Sequence, residues 1–233
     1  MKYIFTLVTF LFFSATYAEE AKEILKKMQA VYSKTENLEY NCRYELFKGH
    51  QSQDVVSGYD GYLYKNKQQV YQQIDQAILV YGSDFFVKIN HNEKAVLIDK
   101  QQIFQSVDSD MEKALSECRT IEMEDKGSFY ILTLTMKSIS QLPYSMVKLQ
   151  IAKKSYFLTQ MDLFYSDQTD FSENSKVQDM SQPHLKITFS DISLSPKDHK
   201  DLLNFSKYIV KNDTLETVNE AYKNYELIDN RTK

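Results

Sequence analysis

The sequence predicts a mainly β protein (α+β) built on a mostly antiparallel sheet, and three observations carry that prediction. In the run Leu38–Leu46, the residues Leu38, Tyr40, Cys42, Tyr44 and Leu46 alternate without a fault with Glu39, Asn41, Arg43 and Glu45. Successive side chains of a strand point to opposite faces, so this run is a strand with one apolar and one polar face. Similar short segments recur along the chain, and the turns between them are shorter than the crossovers that parallel neighbours need. The 17 tyrosines and 14 phenylalanines stand without a single tryptophan, a composition that suits pleated, half-buried surfaces.

In chain order, Met1–Ala18 reads as an export signal: Lys2, the apolar run Tyr3–Phe13, and Thr16-Tyr17-Ala18 as the cleavage region. The apolar run is shorter than the roughly 20 residues of a membrane span, and no lipid-anchor cysteine follows it. The mature chain is therefore expected to be exported and soluble. Ala21, Ile24, Leu25, Met28, Val31 and Tyr32 recur at helical spacing with lysines and glutamate opposite, which predicts an amphipathic helix. A polar turn at Ser33–Asn37 leads into the first strand, and Gly49–Asp54 makes a hairpin connection. Gly58 and Gly61 mark a bend at the head of Tyr62–Lys65. Val70–Ile74, Ala77–Tyr81, Phe85–Ile89 and Lys94–Asp99 follow as short strands.

Ser109–Arg119 breaks the pattern as a second helix, with Ser109 and Glu112 spaced as a capping box. Ser128–Lys137, Ser145–Ala152, Tyr156–Tyr165 and Leu185–Leu194 are longer strands, and Ser166–Gln182 is a polar loop. Leu202, Leu203, Phe205, Tyr208 and Ile209 suit a short helix and strand that close the sheet. The expected organisation is an export signal at 1–18, one domain at 19–210, and a charged tail at 211–233 as weak helix or disordered chain.

Chemistry is sparse. His50, His91, His184 and His199 lie far apart beside turns and read as surface residues, without ligand spacing for a metal. Five glycines do not assemble a phosphate loop, and no nucleophile motif is present. Glu122/Glu124 and Asp108/Asp110 read as solvated rims. No cofactor and no enzymatic activity are expected, and a mildly acidic chain carries no electrostatic footprint for nucleic acid. Cys42 and Cys118 leave two readings open, buried thiols or a disulfide.

The apolar faces are more informative. Leu132, Leu134 and Met136 share one face, as do Val147, Leu149 and Ile151, and Leu185, Ile187 and Phe189. Two readings fit them: an ordinary core sealed by the helices, or a cavity open to an apolar ligand.

An export signal, a helix at Ala21–Tyr32 and the alternating strand Asn37–Phe47 resemble the start of LolA-like proteins. That superfamily includes the outer-membrane lipoprotein carrier LolA, the receptor LolB and the N-terminal domain of RseB. Tyr81-Gly82-Ser83-Asp84-Phe85-Phe86-Val87, the strand Lys94–Ile98, the helix Ser109–Arg119 and the hairpins Phe129–Tyr165 continue the resemblance. Ile187-Thr188-Phe189-Ser190-Asp191 before Leu203-Asn204-Phe205 completes it, over roughly Glu20–Val210. It implies an unclosed, strongly curved antiparallel half-barrel with helices covering a concave apolar face.

The implied function is a soluble monomeric carrier that binds the acyl chains of lipoproteins, or another lipid, between an inner-membrane transporter and an outer-membrane acceptor. The alternative on the same fold is a periplasmic sensor or protein-interaction module without lipid transport. The cavity-lining candidates are Leu25, Met28, Tyr40, Tyr44, Leu46, Val87, Ile89, Leu132, Leu134, Met136, Val147, Leu149, Ile151, Ile187 and Phe189. Glu39 and Glu45 are expected to face water, and Arg43 is the candidate for holding a lid.

Overall fold

A computed structural model describes residues 19–104, 111–172, 178–212 and 215–231. The expected export segment, the Ser109 cap and the Asp108/Asp110 pair lie outside the described residues. In chain order the elements are α1 (helical over residues 19–34), β1 (Asn37–Phe47), β2 (Val55–Asn66), β3 (Gln69–Ile74), β4 (Ala77–Tyr81), β5 (Phe85–Asn90) and β6 (Ala95–Lys100). Then come α2 (Met111–Glu117), β7 (Cys118–Lys126), β8 (Phe129–Met136), β9 (Tyr144–Ala152), β10 (Leu158–Tyr165), β11 (Thr169–Asp170), β12 (Met180–Ser181) and β13 (His184–Ser193). The chain ends with β14 (Ile209–Asn212), β15 (Leu215–Val218) and β16 (Glu226–Asp229), and with 3-10 turns at Lys200–Leu203, Phe205–Lys207 and Glu220–Tyr222.

Twelve strands form one unclosed sheet in the order β16-β6-β5-β4-β3-β2-β1-β13-β10-β9-β8-β7. The hairpin pairs within it are antiparallel, as the short connections require. β16 joins its neighbour β6 in parallel, which the intervening chain makes possible. The chain packs as two compact units, one of α1, Tyr44–Gly58 and α2 through Thr188, the other of Thr35–Arg43, Tyr59–Gln105 and Phe189 onward. The tail was expected as weak helix or disordered chain, but its described residues 211–212 and 215–231 instead contribute to β14, form β15 and supply the edge strand β16. Their charges hid a short apolar stencil, Leu227 and Ile228, that reads as strand only beside Val96 and Leu97.

In the first unit, α1 buries the stripe Ala21, Ile24, Leu25, Met28 and Tyr32. Its other side is solvated and carries an exposed Glu23–Lys27 pair at 2.9 Å. Tyr32 fixes the helix to the β9–β10 hairpin. Its ring meets Phe157 edge-on at 5.3 Å, and its Oη accepts a hydrogen bond from the buried Leu158 amide at 3.3 Å. Lys27 lies 5.6 Å above the Tyr156 ring. Tyr156 itself sits at φ 56°, a left-handed turn that a bulky side chain rarely adopts.

The second unit is a meander of β2 to β6. Gly82 closes the β4–β5 turn, its amide donating to the Phe85 carbonyl at 2.9 Å. A Cβ there would lie 2.2 Å from the Phe85 ring, so the turn needs glycine. One face of the meander holds Tyr71, Ile78, Val80, Val87, Ile89, Val96 and Ile98. The C-terminal segment packs on this cluster through Leu203, Tyr208 and Ile209, with Phe205, Tyr222, Tyr225 and Leu227 around them.

Two outcomes are expected from this packing. Tyr32→Phe keeps the ring contact but leaves the buried Leu158 amide without its acceptor, and should lower stability by about 1–3 kcal/mol in urea unfolding. At the C-terminus, Arg231 binds Asp229 at 2.7 Å and also Glu216. These bonds hold the Asp229 carboxyl down at about 2. A depressed carboxylate contributes stability above its unfolded pKa and loses it as pH falls towards the folded value. NMR amide signals of β16 should therefore loosen between about pH 4 and pH 2, and Arg231→Ala should loosen them at neutral pH.

Candidate functional site

The antiparallel registers of the first unit bring apolar side chains of five strands into line. Leu132 pairs with Met123 on β7 and Leu149 on β9, Leu149 with Met161 on β10, and Met161 with Ile187 on β13. A second row joins Ile121, Leu134, Val147, Leu163 and Leu185 in the same way. Directly opposed residues of antiparallel strands point to one face. The two rows therefore form a single apolar surface about 19 Å across, at the usual strand spacing.

Burial along the rows is graded. Leu132, Leu134, Leu149, Val147 and Ile187 are buried, together with Met136 and Ile151. Met161, Leu163 and Leu185 on one flank, and Ile121 and Met123 on the other, are only half-buried. The helix candidates Leu25 and Met28 are fully buried in this same unit. Tyr44 and Leu46 are half-buried in β1.

The candidates therefore divide between the two units. Val87 and Ile89 are buried in the second unit's core, under its own C-terminal segment. Tyr40 and Phe189 also lie there, half-buried, with their rings edge-on at 5.5 Å. Arg43 reaches Asp60 across the strands at 3.1 Å in an exposed pair, of a kind that contributes about 0–1 kcal/mol. Both cysteines are thiols in the structure, Cys42 buried and Cys118 partly so. Burial pushes the Cys118 thiol up, and it lies 4.0 Å from the Met136 sulfur.

The two glutamates of β1 are more enclosed than expected. Glu39 accepts the Tyr62 hydroxyl at 2.9 Å, and Glu45 meets Lys186 at 2.6 Å with about a quarter of each side chain exposed. The alternation Leu38–Arg43 appears as buried or half-buried against exposed or half-buried positions. From Tyr44 to Phe47 both faces are at least partly covered.

Sequence reasoning missed what covers that other face. His184, expected at the surface, is buried between two phenylalanine rings, Phe47 at 4.4 Å and Phe164 at 5.1 Å, both nearly parallel to it. Its Nδ1 lies 3.0 Å from the Gly49 carbonyl, which fixes its direction. His50 meets Phe164 edge-on, and Lys186 and Lys148 lie over the Phe47 and Phe164 rings. The alternation of β1 gave no sign of this, because Phe47 lies one residue past its end. Met123 and Ile121 were missed because Glu122 and Glu124 beside them read as a rim. The spacing of two apolar residues two apart was the available signal.

Hydroxyls replace charges in the second unit. Tyr208 is buried and donates to the Leu202 carbonyl at 2.6 Å. Burial raises its phenol well above the usual range and that of Tyr71 to about 12. Among the described residues, no group of three or more His, Cys, Asp or Glu side chains could hold a metal ion. No described helix is long and apolar enough to cross a membrane.

Phenols whose folded pKa is raised stay neutral when the unfolded chain ionises, so stability falls as pH rises beyond about 10. Tyr208→Phe should cost about 1 kcal/mol at neutral pH through the lost hydrogen bond, and should flatten that alkaline decline in pH-dependent unfolding.

Neither a family model nor a curated protein matches the sequence. Solved structures do resemble the fold. One is a putative outer membrane lipoprotein-sorting protein domain from Vibrio parahaemolyticus, at 11% identity over 79% of this chain and 97% of that one, with a TM-score of 0.37. Another is a LolA superfamily protein from Nitrosomonas europaea, at 12% identity over 78% and 96%, with a TM-score of 0.24. A third is the MucA/MucB complex of Pseudomonas aeruginosa, at 10% identity over 78% of this chain and 60% of that one, with a TM-score of 0.40.

Proposed function

We propose that this protein is an exported periplasmic carrier that holds the acyl chains of lipoproteins, or of another lipid, against the apolar rows of its first unit. The observation that carries this reading is the graded burial of those rows. Half-buried Met161, Leu163 and Leu185 lie beside the buried spine on one side, and Ile121 and Met123 on the other, so the apolar surface extends beyond the part that is sealed. Each methylene moved out of water contributes about 0.8 kcal/mol, so a lipidated cargo in water needs such a surface.

Release needs a competitor for the same surface, and the one-sided stripe of α1 is suited to that role. The helix is the cover of the concave face in this reading. An inner-membrane transporter would load the protein and an outer-membrane acceptor would unload it. Val87 and Ile89 take no part, since the C-terminal segment already packs on them. That internal filling favours the second reading for the second unit, a protein-interaction module without lipid.

Native mass spectrometry of the exported chain, isolated from its own compartment, should show lipid or lipoprotein bound. Replacing Met161 and Leu163 by serine should raise the Kd for lipid at least about ten-fold, the effect of about 1.4 kcal/mol of lost contact. A chain that is always empty and extracts no lipoprotein from vesicles overturns the proposal.

A further inference from the structure

Strand β7 ends the hydrogen-bonded order of the sheet. Its 9 residues, Cys118–Lys126, pair with β8 on one side, and among the described residues nothing pairs with the other. Half the backbone groups of an edge strand point outward, so on the order of four residues offer unpaired N–H and C=O groups there. We infer that this edge receives an extended segment of a partner protein by strand addition, and that the segment carries Lys or Arg on one face and apolar side chains on the other.

The side chains of β7 dictate both faces of that partner. Ile121 and Met123 are the last, half-buried members of the two apolar rows. An added strand with apolar residues on this face lengthens both rows by one position. On the opposite face Glu122 and Glu124 are exposed. Glu124 already meets Lys126 at 2.8 Å, so an incoming cation competes for it, and Glu122 is the stronger anchor. Opposite charges directly across strands contribute roughly 0.2–1 kcal/mol per pair.

The same charges disfavour a second copy of the chain. An antiparallel copy that keeps the apolar faces together and centres on Met123 sets Glu122 against Glu124. One that centres on Glu122 sets it against itself. Like charges directly opposed are destabilising. Charged side chains commonly guard a sheet edge against self-association; in these two registers the glutamates repel a copy, and they admit a cationic strand. The inference does not rest on lipid carriage, because it is carried by the unpaired backbone edge of β7 and by Glu122 and Glu124, whatever the apolar rows hold.

The test uses the full mature chain and a short peptide that alternates lysine and valine. A glutamate-for-lysine peptide and a lysine–valine peptide N-methylated at alternate residues serve as controls. The lysine peptide should bind by fluorescence anisotropy and slow hydrogen exchange at the β7 amides. The glutamate peptide should bind about ten-fold more weakly, and so should the N-methylated one, which keeps its charge but loses strand hydrogen bonds. E122K/E124K, two exposed changes, should reverse the preference between the charged peptides while leaving urea stability unchanged. Equal binding of the N-methylated peptide overturns strand addition, as do protection away from β7 and absence of binding. Protection of β7 that rises with protein concentration alone assigns the edge to a second copy, and also overturns it.

Discussion

Cross-strand register is the constraint on which the first unit depends. Met123, Leu132, Leu149, Met161 and Ile187 come from five strands, and they meet only because β7, β8, β9, β10 and β13 are paired in the observed alignment. A slip of one residue in any pair would send that strand's apolar set to the opposite face. There it would meet Lys148, Asp162 and Lys186, which share their own cross-strand row. Register is therefore fixed twice over, by what one face excludes and by what the other pairs.

The two units solve the same problem with different parts of the chain. An exposed apolar face of this size is costly in water. In the first unit a single helix buries its stripe, and Tyr32 makes its described hydrogen bond to the sheet. In the second unit the cover is irregular chain, three short 3-10 turns and a four-residue hairpin, rich in tyrosine. Tyrosine suits this work because its ring fills the core while its hydroxyl finds a carbonyl, as Tyr208 does with Leu202.

Much of this was legible in the sequence. The class, the helix at Ala21–Tyr32 and most strands follow from period-two and period-3.6 patterns that local chemistry imposes. Leu132, Leu134, Val147 and Leu149 were readable because their strands alternate cleanly. Three features were not. β7 carries too few apolar residues for its period to stand out. The burial of His184 depends on Phe47 and Phe164, which are remote in sequence and meet it only through strand pairing. Leu227 and Ile228 sit among charges, and only the exposed edge of β6 makes them a strand. The last two share one cause: the deciding partner lies far along the chain, where no local period can register it.

The parallel pairing of Glu226–Asp229 with Ala95–Ile98 has a consequence for the order of events during synthesis. Val80, Val87, Ile89 and Val96 are made early, yet Leu203, Tyr208 and Ile209, which cover them, are made late. Contacts between such distant segments form slowly, because a long loop must close first. Until the last residues emerge, the meander presents an uncovered apolar face, and the nascent chain is left dependent on whatever holds it in solution. Completion of the second unit thus waits until the segment carrying Leu203, Tyr208 and Ile209 has been made.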